Sequence, residues 1–182
     1  MLAEDPQGAG RSEIIGDPAS CGASGCRGVP FQRADNFVDG FVSALDFIEF
    51  RQHVWLAKAD LGRIGLAGHS LSARAASFVG GADLRVDAVV GFDNMSSTLQ
   101  GDAGVSSGGG DCGALIGGEP PAAPTLVTIR VPTMGQAADR QPGCDPTNLD
   151  PELKKTAFLK WRTAGVPSML VDFKDAVHGD WA

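Results

Sequence analysis

The fold turns on one stretch, Arg63-Ile64-Gly65-Leu66-Ala67-Gly68-His69-Ser70-Leu71-Ser72, which runs into the small-residue segment 73–79. Residues 63–67 are short, apolar and bounded by turn residues, the pattern of a strand buried on both faces. Residues 73–79 predict a helix, closed by Gly80-Gly81. Between strand and helix stands Ser70, with a glycine two residues before it and a serine two after, so the pattern is G-x-S-x-G with its last glycine replaced by Ser72. A turn that sharp packs the residues on either side of Ser70 against each other, and both must be small. It also exposes the Ser70 hydroxyl at the carboxyl end of the sheet, where ligands bind in open α/β folds. The helix that begins at Leu71 points its N-terminal amides at the same place, where an oxyanion would develop. Ser70 therefore reads as a nucleophile.

Upstream, Phe37, Phe41, Leu45 and Ile48 recur at helical spacing and predict a helix over 36–58. Downstream, residues 86–92 read as a second buried strand. Residues 94–123 form a Gly-rich excursion that is the one candidate lid, since loops of that length are usually functional or mobile. Its Gly108-Gly109-Gly110 lacks the G-K-[ST] of a phosphate loop. Strand-like residues surround Pro132 within 125–138. Asp150-Pro151-Glu152 is a helix start and Gly165 the matching stop. Residues 167–173 are the last strand. Strands alternating with helices predict an α/β domain, a mostly parallel sheet flanked by helices, spanning 1–182 as a single domain.

Composition bounds the function. The 182 residues carry 15 Lys+Arg against 22 Asp+Glu, a net charge of −7. An acidic chain with no basic stripe is a poor phosphate-backbone binder, so nucleic acid is excluded as a leading partner. Apolar runs stop short of the ~20 residues of a membrane-spanning helix. Cys21, Cys26, Cys112 and Cys144 include no C-x-x-C pair, and no H-E-x-x-H exists, so neither a metal nor another cofactor is expected. Four cysteines allow two disulfides, with Cys21–Cys26 and Cys112–Cys144 the local choices, or four free thiols. The first option favours secretion over the cytoplasm, although Met1-Leu2-Ala3-Glu4-Asp5 does not look like a signal peptide.

A serine needs a base to act as a nucleophile. Of the three histidines, His178 lies in a loop beyond the last strand and is the expected base. His69 adjoins the serine but points away from the hydroxyl and reads as packing; His53 falls within the long predicted helix as filler. The base needs a carboxylate to fix its tautomer. Asp139, at the end of the 125–138 segment, is the expected acid, with Asp93 and Asp145 as rivals. Activity should then rise with pH as the imidazole loses its proton.

Residues 63–80, 86–93, 131–139 and 167–178 resemble the α/β-hydrolase superfamily, particularly its lipase, cutinase and polyester-hydrolase branch. Asp5-Pro6-Gln7-Gly8-Ala9-Gly10-Arg11-Ser12 looks like the D-x-x-G-x-G-x-S loop that follows the fourth strand in that family. The resemblance implies a fold truncated at its N-terminus and just after the histidine, with Ser70 nucleophile, Asp139 acid, His178 base and Leu71 one oxyanion amide. The family's other oxyanion amide comes from a loop that has no counterpart here. It also implies hydrolysis of carboxylic esters, from small molecules to lipids or polyesters. The alternatives are a fragment that only binds, or another acyl hydrolase of dienelactone-hydrolase or peptidase type. Without the family's third strand, the strand carrying the serine is expected to be a sheet edge open to self-association.

Overall fold

A computed structural model describes residues 34–50, 56–93, 95–99, 125–139 and 151–181. The four cysteines, His53, Asp145, the loop from Asp5 to Ser12 and the candidate lid apart from 95–99 fall outside these. The elements are α1 (Ala34–Phe50), β1 (Ile64–His69), α2 (Leu71–Ala82), β2 (Val86–Phe92), β3 (Thr133–Ala138), α3 (Pro151–Thr163) and β4 (Ser168–Phe173), with short 3-10 turns at Leu56–Lys58 and His178–Trp181. The strands form one parallel sheet in the order β1-β2-β3-β4. This is the expected α/β architecture.

Neighbouring strands follow one another in space as in sequence. With the right-handed crossover that parallel units adopt, α2 and α3 lie on the same face of the sheet. Packing agrees. Phe41 and Leu45 of α1, Ala75, Ala76 and Val79 of α2, and Leu66, Val86 and Val89 of the sheet make one core cluster. Met95, Val127, Ala157 and Trp161 make a second, and Phe78 of α2 packs against both. The register aligns Ala67 with Val90, Val90 with Met134 and Met134 with Met169, a row on the other face of the sheet. That face stays partly open, with Met169 54% and Phe173 42% exposed. The strand expected to be buried on both faces is instead buried on one: along β1, Leu66 and Gly68 are buried while Gly65 and Ala67 are exposed. Among the described residues β1 is an edge strand.

Three boundaries differ from those expected. The helix predicted over 36–58 is described to Phe50, and Leu56–Lys58 is a separate 3-10 turn. Gly80-Gly81, expected to end α2, lie inside it, and Asp83 is the C-cap, its N–H bonded to the Val79 carbonyl at 2.7 Å. These glycines serve close approach: a Cβ at Gly80 would strike the Val89 side chain, and one at Gly81 the Thr128 backbone. The 125–138 segment is not one strand. Leu126 makes an isolated antiparallel bridge to Thr98, and β3 begins only after Pro132, which has no N–H for a ladder. The stop of α3 is as expected. Gly165 has φ +74°, its N–H bonds the Arg162 carbonyl at 3.1 Å, and the Val166 N–H bonds the Trp161 carbonyl at 3.2 Å. That is a Schellman ending, for which glycine carries no Cβ penalty.

Candidate active site

The turn between β1 and α2 is as tight as the small residues imply. Ser70 sits at φ 58°, ψ −119°, a left-handed φ rare for a residue with a side chain. A Cβ on Gly68 would collide with the backbone carbonyl of Ser72, so only glycine fits there. Ser72 does more than fit. Its Oγ accepts the His69 N–H at 2.8 Å and donates to the His69 carbonyl at 2.7 Å, lashing the two sides of the turn together. Across the sheet, the Ser70 N–H donates to the Phe92 carbonyl at 3.0 Å. Ser70 occupies the N-cap position of α2 but its hydroxyl makes no capping bond. That hydroxyl lies 2.9 Å from His178 Nε2 instead. Leu71 opens α2, where the first-turn amides have no intrahelical partner.

His178 begins the 3-10 turn beyond β4. Its backbone carbonyl accepts a hydrogen bond from His69 Nε2 at 2.7 Å, and the two imidazole rings lie with centroids 4.5 Å apart. His69 thus holds the turn that carries His178, a role beyond the packing expected of it. Burial is the main force lowering the His69 pKa, which keeps the ring neutral with its proton on Nε2. Trp181, at the end of the same turn, stacks on His69, meets Phe173 edge-on and donates its Nε1–H to Gln136 Oε1 at 3.1 Å.

The carboxylate on His178 is Asp93. Its Oδ2 lies 2.7 Å from His178 Nδ1. Asp93 follows β2 with φ 41°, and its N–H donates to the Gln136 carbonyl at 2.7 Å. The other carboxylate oxygen, Oδ1, accepts the Ala138 N–H at 2.8 Å and the Lys154 Nζ at 2.7 Å. Burial by itself would raise the Asp93 pKa, but hydrogen bonds from His178, Lys154 and the Ala138 amide outweigh it and hold the group below the ordinary carboxylate range. Asp93 is therefore the ionised partner of the imidazole.

Asp139, the expected acid, is not brought to the ring. Its Oδ1 accepts the Asp175 N–H, and its own N–H donates to the Phe173 carbonyl at 3.3 Å. Asp139 fastens the loop between β4 and His178, while Asp93 meets the imidazole. The two follow the last residues of adjacent strands, Phe92 and Ala138, so position along the sheet did not separate them. Lys154, absent from the sequence reading, had a legible signal. With Ala157 and Trp161 it falls at i, i+3 and i+7 of α3, on the buried stripe of that helix. A lysine on such a stripe requires a counter-charge.

The site is thus a run of hydrogen bonds, Ser70 Oγ to His178 to Asp93 to Lys154, at the carboxyl end of a parallel sheet. No protein-family model matches the chain, and no curated protein matches it by sequence. Solved structures do. The Pyrococcus horikoshii acylaminoacyl peptidase superposes with a TM-score of 0.54 and 15% identity over 79% of this chain and 23% of that one. The AtxE2 isopeptidase with Astexin3-dC4 bound superposes with a TM-score of 0.54 and 16% identity over 82% of this chain and 23% of that one. The chain spans about a quarter of the length of these structures. At such identities the likeness speaks to architecture, and the described residues have the α/β-hydrolase fold.

Proposed function

We propose that the protein is a serine hydrolase of carboxylic acid derivatives, with Ser70 as nucleophile, His178 as general base and Asp93 as the acid that orients the base. The observation that carries this reading is the unbroken contact from Ser70 Oγ to His178 Nε2 and from His178 Nδ1 to Asp93 Oδ2, at 2.9 and 2.7 Å. Asp93 accepts the Nδ1–H and leaves the Nε2 lone pair facing the serine hydroxyl.

In the first half-reaction Ser70 Oγ bonds to the substrate carbonyl carbon while its proton passes to His178 Nε2. The carbonyl π electrons move to oxygen, where the Leu71 N–H is a donor. As the tetrahedral intermediate collapses, the bond to the leaving group breaks and His178 returns the proton to the departing oxygen or nitrogen. In the second half-reaction water loses a proton to His178 and attacks the acyl-enzyme, releasing the acid and restoring Ser70.

Carboxylic esters are the substrate class implied by the sequence resemblance. A second reading, cleavage of an amide, draws on the two superposed structures, which are named a peptidase and an isopeptidase. A fluorophosphonate probe tests the nucleophile. The wild-type chain should be labelled at Ser70 and Ser70→Ala should not, whereas an unlabelled wild-type chain would favour a module that only binds. Matched p-nitrophenyl ester and p-nitroanilide substrates of one acyl group then separate ester from amide cleavage.

A further inference from the structure

We infer that Lys154 is a positioning residue for this site, acting through Asp93 to fix its carboxylate against His178 and to set the pH range in which the base works. The inference rests on the hydrolase reading above.

The side chains of Lys154 and Asp93 are 1% and 0% exposed, and their closest atoms are 2.7 Å apart. The ammonium also donates to the Ala138 carbonyl at 2.9 Å. Ala138 donates its N–H to Asp93 Oδ1 and accepts from Lys154, so the end of β3, the acid and the lysine close a ring of hydrogen bonds. That ring occupies Oδ1 completely and leaves Oδ2 for the imidazole. A buried pair of this kind is a poor way to gain stability, because desolvation offsets the attraction between the charges. Its placement directly behind the imidazole's carboxylate points to another use.

Catalysis needs Asp93 ionised while His178 is still neutral. A fully buried carboxylate beside a neutral ring would bind a proton, or hold one on the ring. Lys154 sets a positive charge 2.7 Å from that carboxylate. It keeps Asp93 an acceptor and, by offsetting its charge, weakens the hold on a proton at Nδ1 and Nε2. Among the described residues, the other titratable groups around His178 include His69, which is on its carbonyl and against its ring, and Asp175 and Asp180 in its own loop. Asp180 is bonded to the Val177 N–H, and the Asp175 N–H is held by Asp139 beyond β3. Lys154 is the cation that the structure places on Asp93 from α3.

The test follows the rate of fluorophosphonate labelling of Ser70 against pH in the wild-type chain and in Lys154→Met. The rate requires a neutral imidazole, so its acid limb reports the base directly. Without Lys154 the uncompensated Asp93 holds the proton on the ring, and the limb moves to higher pH by at least about half a unit. A role confined to packing would lower stability and leave the limb in place. A labelled Ser70 with a limb displaced by less than about half a unit in folded Lys154→Met overturns the inference alone. A wild-type Ser70 that takes no probe overturns the hydrolase reading and this inference with it.

Should Lys154→Met fail to fold, Asp93→Asn and the double variant Asp93→Asn/Lys154→Met decide, since the double variant removes both buried charges. Because Lys154 acts through Asp93, its removal in that background should change the labelling rate, read by mass spectrometry over long incubations, by no more than about threefold. A larger further loss would show an effect independent of Asp93 and overturn the inference.

Discussion

Asp93 and Asp139 each follow the last residue of neighbouring parallel strands, β2 and β3, and each has its backbone N–H donated to a carbonyl of the next strand, Gln136 and Phe173 respectively. Their surroundings differ in depth. Asp93 is buried, is bent into positive φ and has its two oxygens divided between His178, Lys154 and the Ala138 amide. Asp139 is half-buried and its Oδ1 accepts a hydrogen bond from one backbone amide, that of Asp175. The difference teaches that sheet position selects where a carboxylate can serve, while burial and the charges around it select which one does. Asp139 holds the loop; Asp93 holds the ring.

The sharpest test starts from the serine both regions would serve. Ser70→Ala should lower kcat of p-nitrophenyl ester hydrolysis by about 10⁶-fold if the triad acts as a unit. A variant that keeps a tenth of wild-type turnover would remove Ser70 from the mechanism and leave the Asp93–Asp139 contrast without chemical meaning. Asp93→Asn comes next. It retains the shape but hands the imidazole the wrong hydrogen-bonding partner, and about 10⁴-fold should be lost from kcat. If Asp139→Asn does the greater damage, the assignment of the acid passes back to β3.

Stability separates the two positions as well. Asp93→Asn leaves the Lys154 ammonium buried with no counter-ion, and breaking such a pair costs about 3–5 kcal/mol. Urea unfolding at neutral pH measures this, and a loss under about 1 kcal/mol would mean that Lys154 finds water or another partner. The pH dependence has a definite sign. The Asp93 pKa is lower in the folded chain than the roughly 3.9 of an unfolded aspartate. Its ionised form therefore contributes stability fully above about pH 4, and that contribution disappears as pH falls through the folded value. Thermal unfolding between pH 6 and pH 2 should show the wild-type chain weakening below about pH 4 more steeply than Asp93→Asn. Asp83, lowered mainly by its hydrogen bond from Arg85, acts in the same direction in both proteins and cancels from the comparison.

The contrast also explains what could be read from the sequence. The parallel α/β order was legible because β1, β2 and β4 are short, largely apolar runs between turn residues, and the α3 boundaries because Pro151 and Gly165 have backbone reasons to be where they are. The elbow was legible because Gly68 and Ser72 are small for a steric reason that the structure shares. The acid was not. Asp93 and Asp139 differ by contacts with Lys154, 61 and 15 residues downstream of them, and with a loop whose path no local pattern records. The glycines at 80 and 81 misled because a glycine pair signals a helix end and a close packing contact equally well. His69 was half legible: its place beside the serine showed in the motif, its bond to the His178 carbonyl did not.

The smallest effect belongs to Asp139. The Asp139 carboxylate accepts one backbone N–H, from Asp175, a residue that itself adopts φ 61°. A side-chain amide oxygen at the same place can still accept that hydrogen bond, so Asp139→Asn should cost about 1 kcal/mol or less. Activity should fall less than about tenfold, through a slightly looser His178 turn and not through loss of the imidazole's partner. Asp139→Ala, which removes the acceptor, should cost more stability than Asp139→Asn while leaving the acid limb of the pH profile where it was. A limb displaced by Asp139→Ala would mean that Asp139 reaches the imidazole electrostatically, and the functional separation of the two strand ends would then be narrower than their geometry.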